Sequence, residues 1–176
     1  FSLLPNASFI YQTKTNKRIA LAYNRRLARP GLQFLNPFID NRDPLFIAFG
    51  NEKLAPEFAD NLDPSFSSFA SKISYSIAVN GSFVNDGILR FLVFNELTGI
   101  TTQTYGNVGV SSVAGLNGFV SLRPFKGISY FLNFNMNYAI IKNKVNTQQQ
   151  NKGSYLSITQ AINYDINPKA FIFHNF

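Results

Sequence analysis

The sequence has no cysteine and no tryptophan, and only one histidine and one methionine among its 176 residues. Without cysteine it has neither a disulfide scaffold nor a thiolate metal site. The single His174 leaves a catalytic triad or a paired-histidine metal centre without its usual groups. Gly-x-Ser-x-Gly, EF-hand and Gly-rich phosphate motifs are absent as well, so an enzyme is not expected, nor any cofactor. No run approaches the roughly 18 unbroken apolar residues that a membrane-spanning helix needs. Charge is scarce at 14%, against roughly 25% in an ordinary soluble domain. That scarcity, beside 15% aromatics, excludes a disordered chain. What is left is a low-charge, aromatic chain of one-domain length, or one piece of a larger domain. Any export signal is expected outside it.

The charge that is present sums to +7, which raises the question of a nucleic-acid partner. Seven of the sixteen cations fall at turns: Lys14, Lys17 and Arg18, then Lys72, then Arg123 and Lys126, then Lys169. Only Arg25, Arg26 and Arg29 form a compact cluster. Stacking on nucleic-acid bases needs aromatics beside cations on an open face. Here the aromatics share a face with Leu and Ile, so no nucleic acid is expected.

Period two dominates the pattern. Ile128, Tyr130, Leu132, Phe134, Met136, Tyr138 and Ile140 alternate with Ser129, Phe131, Asn133, Asn135, Asn137 and Ala139. Side chains alternate across a strand, so one face is apolar and the other mostly amide or small. The same alternation runs through Ile73–Phe83 and Leu156–Ile166, and through the shorter segments at Ala7–Gln12, Ile19–Asn24 and Leu116–Arg123. Ile10 breaks it, and Ile88–Phe94 and the segment from Ala170 onward are apolar on both faces. Connections alternate between tight and long. Lys14–Lys17, Ser71–Lys72, Pro124–Gly127 and Asn167–Lys169 are tight, with Pro and Gly placed for turns. The stretches between Arg29 and Pro56, Asn95 and Gly99, and Lys142 and Gly153 are longer. This is the pattern of an all-β, antiparallel up-and-down meander of about eight strands. Short turns at one end and long loops at the other are typical of transmembrane β-barrels, whose strands need about 9–11 residues to cross. The 21 Asn residues suit a solvated lumen. Tyr11, Tyr23, Tyr130, Tyr138, Tyr155 and Tyr164 are expected in interfacial girdles, and Leu132, Phe134, Met136 and Tyr138 on the convex side of a curved sheet. A soluble β-sandwich or lipocalin-like barrel would instead pack the apolar rows inward.

The long connection is the most specific part. It reads Asn24-Arg25-Arg26-Leu27-Ala28-Arg29-Pro30, then Leu35-Asn36-Pro37-Phe38, Asp43-Pro44, Phe49-Gly50-Asn51 and Leu54-Ala55-Pro56-Glu57-Phe58. This ordered run resembles the barrel of TonB-dependent outer-membrane receptors, in the outer membrane protein β-barrel family. Downstream, Thr104-Tyr105-Gly106-Asn107-Val108-Gly109, Gly115 and Arg123-Pro124-Phe125 resemble the family's next elements. Phe49 stands where Tyr is usual and Ala55 where Lys is usual. The strand after Glu57 is unusually polar, and Pro64 within it is expected to cause a bulge or an irregular start. The resemblance implies that residues 1–176 form a partial barrel of the bacterial outer membrane, without the plug domain. It also implies energised uptake of a bulky nutrient such as a glycan, peptide or metal chelate. The partners implied are outer-membrane lipid, an inner-membrane energy-coupling protein acting through a plug absent from this chain, and a surface lipoprotein. The alternative is a self-contained eight-stranded barrel with a structural or binding role.

A connection of roughly 26 residues, about 30–56, exceeds the usual loop and is normally functional or disordered. Pro30, Pro37, Pro44 and Pro56 stiffen it, and Phe34, Leu35, Phe38, Leu45, Phe46, Ile47 and Phe49 make it too apolar to stay in water. It is therefore expected to fold against the barrel mouth or into the lumen, as a wall of the pore or a gating element on the substrate path. The residues expected to serve it are Arg29, Phe34, Asn36, Phe38, Asp40, Asp43, Phe49, Asn51 and Glu57. The carboxylates Asp40, Asp43, Glu52, Glu57, Asp60 and Asp63 cluster in and just after this loop. They are expected to cap turns and pair with Arg25, Arg26, Arg29 or Arg42 rather than to bind Ca²⁺.

Overall fold

The computed structural model describes residues 2–145, 150–167 and 170–175, with side chains as far as Tyr164. Eight strands follow one another as neighbours in a single antiparallel sheet: β1 (Asn6–Gln12), β2 (Lys17–Ala28), β5 (Glu57–Phe69), β6 (Ile73–Asn95), β7 (Ile100–Leu122), β8 (Ile128–Asn143), β9 (Gln150–Asn167) and β10 (Ala170–Asn175). Off this path, the β2–β5 connection forms a four-residue helix, α1 (Leu32–Leu35), and a short hairpin of β3 (Asp40–Asp43) and β4 (Phe46–Ala48). The meander is thus as the alternation of turns and loops implies. The β1–β2 turn places Asn16 at φ 57°, a left-handed conformation that Asn tolerates better than most residues.

Register is continuous, so the rows align across strands. One apolar line runs Tyr11, Ile19, Phe66, Ile77, Gly118, Phe134, Ile158. One polar line on the opposite face runs Ala20, Ser65, Ala78, Asn117, Asn135, Ser157. Among the described residues no second sheet covers the apolar rows. Ile73 is 51% exposed and Ile158 58%, so the soluble sandwich has no structural basis. Among the described residues only Leu54 and Ala161 are buried apolar side chains, and no large side chain is fully enclosed. Such a sheet gains little from burial within itself, and its apolar rows are stabilised by meeting hydrocarbon.

Five of the six tyrosines lie on the apolar face. Tyr11, Tyr130 and Tyr164 stand toward the short-turn end. Tyr23 and Tyr138 share one cross-strand line through Leu62, Gly81 and Ala114 toward the other end. Tyr155 is the exception, since it pairs with Asn137 on the polar face. From Tyr130 to Tyr138 spans about 26 Å along β8 at about 3.3 Å per residue. At a tilt of about 40° this covers most of the about 25 Å apolar band of an outer-membrane barrel.

As the order of connections implies, Ile73–Phe83 and Ile88–Phe94 share one strand of 23 residues, and Thr104–Gly109 and Leu116–Leu122 share another of 23. Two other expectations, at the long link and at Pro64, need correction. A double register shift at Asn85, Gly87 and Ile88, with Asp86 at φ 63°, joins the two parts of β6 and inverts its alternation. The long link from Lys142 to Gly153 is shorter than read from the sequence, because β8 and β9 pair as far as Lys142 and Gln150, which puts Lys142 and residues 150–153 in the ladder. Pro64 produces no bulge: the β5–β6 pairing skips Asp63 and Pro64 and resumes in the same register, from Leu62 opposite Gly81 to Ser65 opposite Ala78. Residues 146–149 of the link from Lys142 to Gly153 and Pro168–Lys169 of the last tight turn lie outside the described residues, as do the side chains beyond Tyr164, that of His174 among them.

If the apolar rows face lipid, Met136→Arg should destabilise the barrel by about 2–4 kcal/mol, whereas Asn135→Arg on the opposite face should cost little. Denaturant unfolding from lipid vesicles measures both; equal costs would refute the assignment of faces.

Candidate functional site

The polar face carries a ladder of amides. Asn117 Nδ2 donates to Asn80 Oδ1 (2.9 Å), Asn135 Nδ2 to Asn117 Oδ1 (2.7 Å) and Asn137 Nδ2 to Asn135 Oδ1 (2.5 Å), which links three adjacent strands. Gly115 lies between Asn80 and Asn137, and a Cβ there would collide with both amides. A shallow hollow of about 410 Å³ opens beside the ladder, lined by Ser76, Asn117, Asn133, Asn135, Ser157 and Thr159. Nearer the short turns, Phe119 lies between Phe69 and Phe131, with ring centroids 6.2 and 6.1 Å away. These three rings interrupt the polar face with an apolar strip. At the other end Asn24 Oδ1 accepts from Asn61 (3.0 Å) and Arg26 (3.1 Å).

The second element is the rim, where strands outgrow their neighbours. β8 ends at Asn143 opposite Gly109, and β5 reaches Asn85 through Phe58. Beyond these levels the β6–β7 hairpin projects alone. At about 3.3 Å per residue its free arms extend roughly 30 Å. The exposed edge of β7 is taken by β4, which pairs parallel through Phe46–Thr101, Ile47–Thr102 and Ala48–Gln103. Capping an edge in this way satisfies groups that would otherwise invite aggregation. Thr101 N–H also donates to Leu45 O (2.8 Å), and Phe49 N–H to Gln103 O (3.1 Å).

Below β4, side chains replace backbone. Asn107 Oδ1 accepts the Ala55 N–H (2.8 Å), while its Nδ2 donates to the carbonyls of Ala55 and Asp86 (both 2.9 Å). One amide therefore acts as a strand residue for Ala55 and also seals the bulge. Asn51 Nδ2 donates to Tyr105 O (2.9 Å), and the Phe34 ring lies 4.9 Å from that of Tyr105. Asn51 N–H and Gly50 N–H donate to the carbonyls of Phe34 (2.6 Å) and Asn36 (2.8 Å). A Cβ on Gly50 would stand 2.5 Å from Asn36 O and 2.6 Å from Phe34 O, so only glycine fits that approach. Glu57 Oε1 accepts the Ile88 N–H, and Lys144 Nζ pairs with Asp86 Oδ1 at 2.5 Å.

The residues expected from the sequence thus separate into two groups. Phe34, Phe49 and Asn51 meet β7, Asn36 bonds within the loop through Gly50 and Phe38, and Glu57 ties the base of the loop to β6. Arg29 is exposed, with no ion pair among the described residues, and Phe38 is 74% exposed. Asp43 caps the β3–β4 turn through Leu45 N–H (2.9 Å). Asp40 takes a two-pronged contact from Arg42, at 2.8 and 2.6 Å. Carboxylate pairing therefore occurs at Arg42 and, through Asp60, at Arg25 (3.8 Å), whereas Arg26 meets Asn24 instead. Asn107 and Tyr105, central to the docking, had no role assigned from the sequence; the Tyr-Gly-Asn motif that contains them was their one signal.

The Arg42 guanidinium, hydrogen-bonded to Asp40, holds that carboxyl below its ordinary value. Depressed on folding, the ionised form steadies β3 above the ordinary carboxylate range, and that support is lost as pH falls through the depressed value. Arg42→Ala should return Asp40 to the ordinary range in an NMR titration; an unmoved midpoint would contradict the pairing. Asn107→Ala removes the bonds that hold the exposed Ala55, at a cost of about 0.5–1.5 kcal/mol per bond to the docked loop. Hydrogen exchange at Ala55 and Gly50 should accelerate roughly tenfold or more, with strand amides near Phe134 unchanged.

The chain matches the outer membrane protein beta-barrel family over residues 1–175. No curated protein sequence matches it. Among solved structures it is similar to the siderophore receptor PirA from Pseudomonas aeruginosa (TM-score 0.62, 14% identity), covering 94% of this chain and 36% of that one. A mutant ferric enterobactin receptor, PfeA, from the same organism is similar at TM-score 0.63 and 11% identity, with 94% and 33% covered. The outer membrane transporter YddB from Escherichia coli is similar at TM-score 0.57 and 14% identity, with 86% and 25% covered. The chain therefore spans about a third or less of the length of these proteins, and at such identities the likeness is one of fold.

Proposed function

This chain belongs to the outer membrane protein beta-barrel family and has its place in the bacterial outer membrane, and from that premise we propose that it forms part of the barrel of a TonB-dependent receptor taking up a bulky nutrient. The observation that carries the reading is the division of the sheet into a lipid-matched face and an amide-lined face, joined to a rim where the long loop is strapped to β7. A neutral amide wall offers donors and acceptors to a passing polar cargo. The docked segment would stand where cargo enters, held to β7 through Phe34, Phe49 and Asn51, with Asn36 bracing Gly50 behind them. Energy would come from an inner-membrane coupling protein through a plug, and a surface lipoprotein would deliver cargo at the rim. The chain's own contribution is binding and passage rather than bond chemistry.

The alternative of a closed eight-stranded barrel finds no support in the sheet, because β1 and β10 are the two ends of its strand order and do not pair with each other. In cells, deletion of the protein should abolish growth on its cargo, screened across glycans, peptides and metal chelates. Removing the energy-coupling protein should abolish that growth equally. Uptake that survives loss of the coupling protein would overturn the proposal.

A further inference from the structure

The cations are distributed unevenly along the strands. Lys14, Lys17, Arg18, Lys72, Arg123 and Lys126 lie in or beside the three described tight turns, and none of the nine acids lies in those turns. All six are exposed, and none forms an ion pair among the described residues. At the rim, by contrast, cations meet carboxylates: Arg25 with Asp60, Arg42 with Asp40, Lys144 with Asp86. The net positive charge is therefore concentrated at the short-turn end.

Geometry turns this excess into a site. Arg123 N–H donates to Lys72 O (2.7 Å), joining the β5–β6 and β7–β8 turns. Lys72, Arg123 and Lys126 then line one open hollow of about 650 Å³, beside Phe125. Phe125 is 74% exposed, and the apolar row starts immediately above with Ile73, Leu122 and Ile128, followed by Tyr75 and Tyr130. The cations thus sit at headgroup depth, in a hollow at the short-turn end that reaches from Ile128 on the lipid-facing row to Ser129 on the amide face. We propose that Lys72, Arg123 and Lys126, with Phe125 as an apolar anchor, bind the anionic headgroup of a phospholipid in the leaflet facing the short turns. Three uncompensated cations match a phosphate-bearing headgroup, and an exposed ring beside them fits the acyl boundary of the same molecule. Tight turns face the periplasm in such barrels, so the occupant is an inner-leaflet lipid such as phosphatidylglycerol. Bound there, it would fix the depth and tilt of this part of the barrel.

The test uses the whole outer-membrane protein in mild detergent, offered phosphatidylglycerol or phosphatidylcholine, with retained lipid counted by native mass spectrometry. Phosphatidylglycerol should be retained selectively. Retention should fall roughly fivefold for each of K72Q, R123Q and K126Q at low ionic strength, and the selectivity should fade as salt rises. The rim variant K142Q/K152Q should retain it as the unaltered protein does. Equal retention of both lipids, or an equal loss in the rim variant, overturns the proposal. Complete displacement by inorganic phosphate overturns it in favour of a free anion, and tighter binding of polyglutamate in favour of an acidic polypeptide. The salt titration of the unaltered protein carries the test even where a variant folds poorly.

Discussion

Unbroken antiparallel register is the constraint on which everything else in this molecule depends. Hydrocarbon offers no hydrogen-bond partner to a peptide group, so each strand must satisfy its backbone through its neighbours. Side chains alternate with period two, so a slip of one residue would move every Ile and Leu to the wrong face. The line from Tyr11 to Ile158 crosses seven strands without such a slip. Even Pro64, which lacks an N–H, interrupts the ladder without shifting it. The amide ladder exists because the same register brings Asn80, Asn117 and Asn135 within reach on the opposite face.

Beyond the membrane the constraint loosens, and the molecule meets it by other means. The inserted Asp86 and the register shifts around it mark where β6 passes out of the barrel wall. Above this point β7 loses β8 as a partner and takes β4, in parallel orientation. Where no strand is at hand, side chains stand in: Asn107 for Ala55, Glu57 for Ile88. Each such bond is worth only about 1 kcal/mol net, and the pairing of β4 with β7 is three residues long. The rim is therefore held by a few separable contacts, whereas the wall is held by continuous ladders.

Legibility in the sequence followed the same boundary. From Ile128 to Ile140 the alternation is clean because one face meets lipid and the other water, and the strand is as read. Ile88–Phe94 gives no such signal, since outside the membrane neither face is tied to one medium and the bulge at Asp86 inverts the parity. The short parallel strand Phe46–Ala48 is hidden by its length and by Pro44 beside it. Composition showed that Asn fills the polar face, but alternation alone does not say which amides meet across strands. The motif that holds Phe34, Asn36, Phe49 and Asn51 marked out the loop, of which Phe34, Phe49 and Asn51 lie against β7, while Asn107 lay in another motif with nothing to reveal its partner 52 positions away.

The low charge of the chain has a physical reason in this architecture. A carboxylate or ammonium on the wall would need a counter-ion or full hydration, whereas an amide both donates and accepts. Asn80, Asn117, Asn135 and Asn137 can therefore satisfy one another in a row, provided that Gly115 leaves room between the strands. Such a wall imposes no sign on what passes it. Charge is left to the two ends, balanced by carboxylates at the rim and unbalanced at the tight turns. The difference follows from the surroundings: the rim meets water and its own folded loop, while the turns border lipid headgroups that supply the opposite charge.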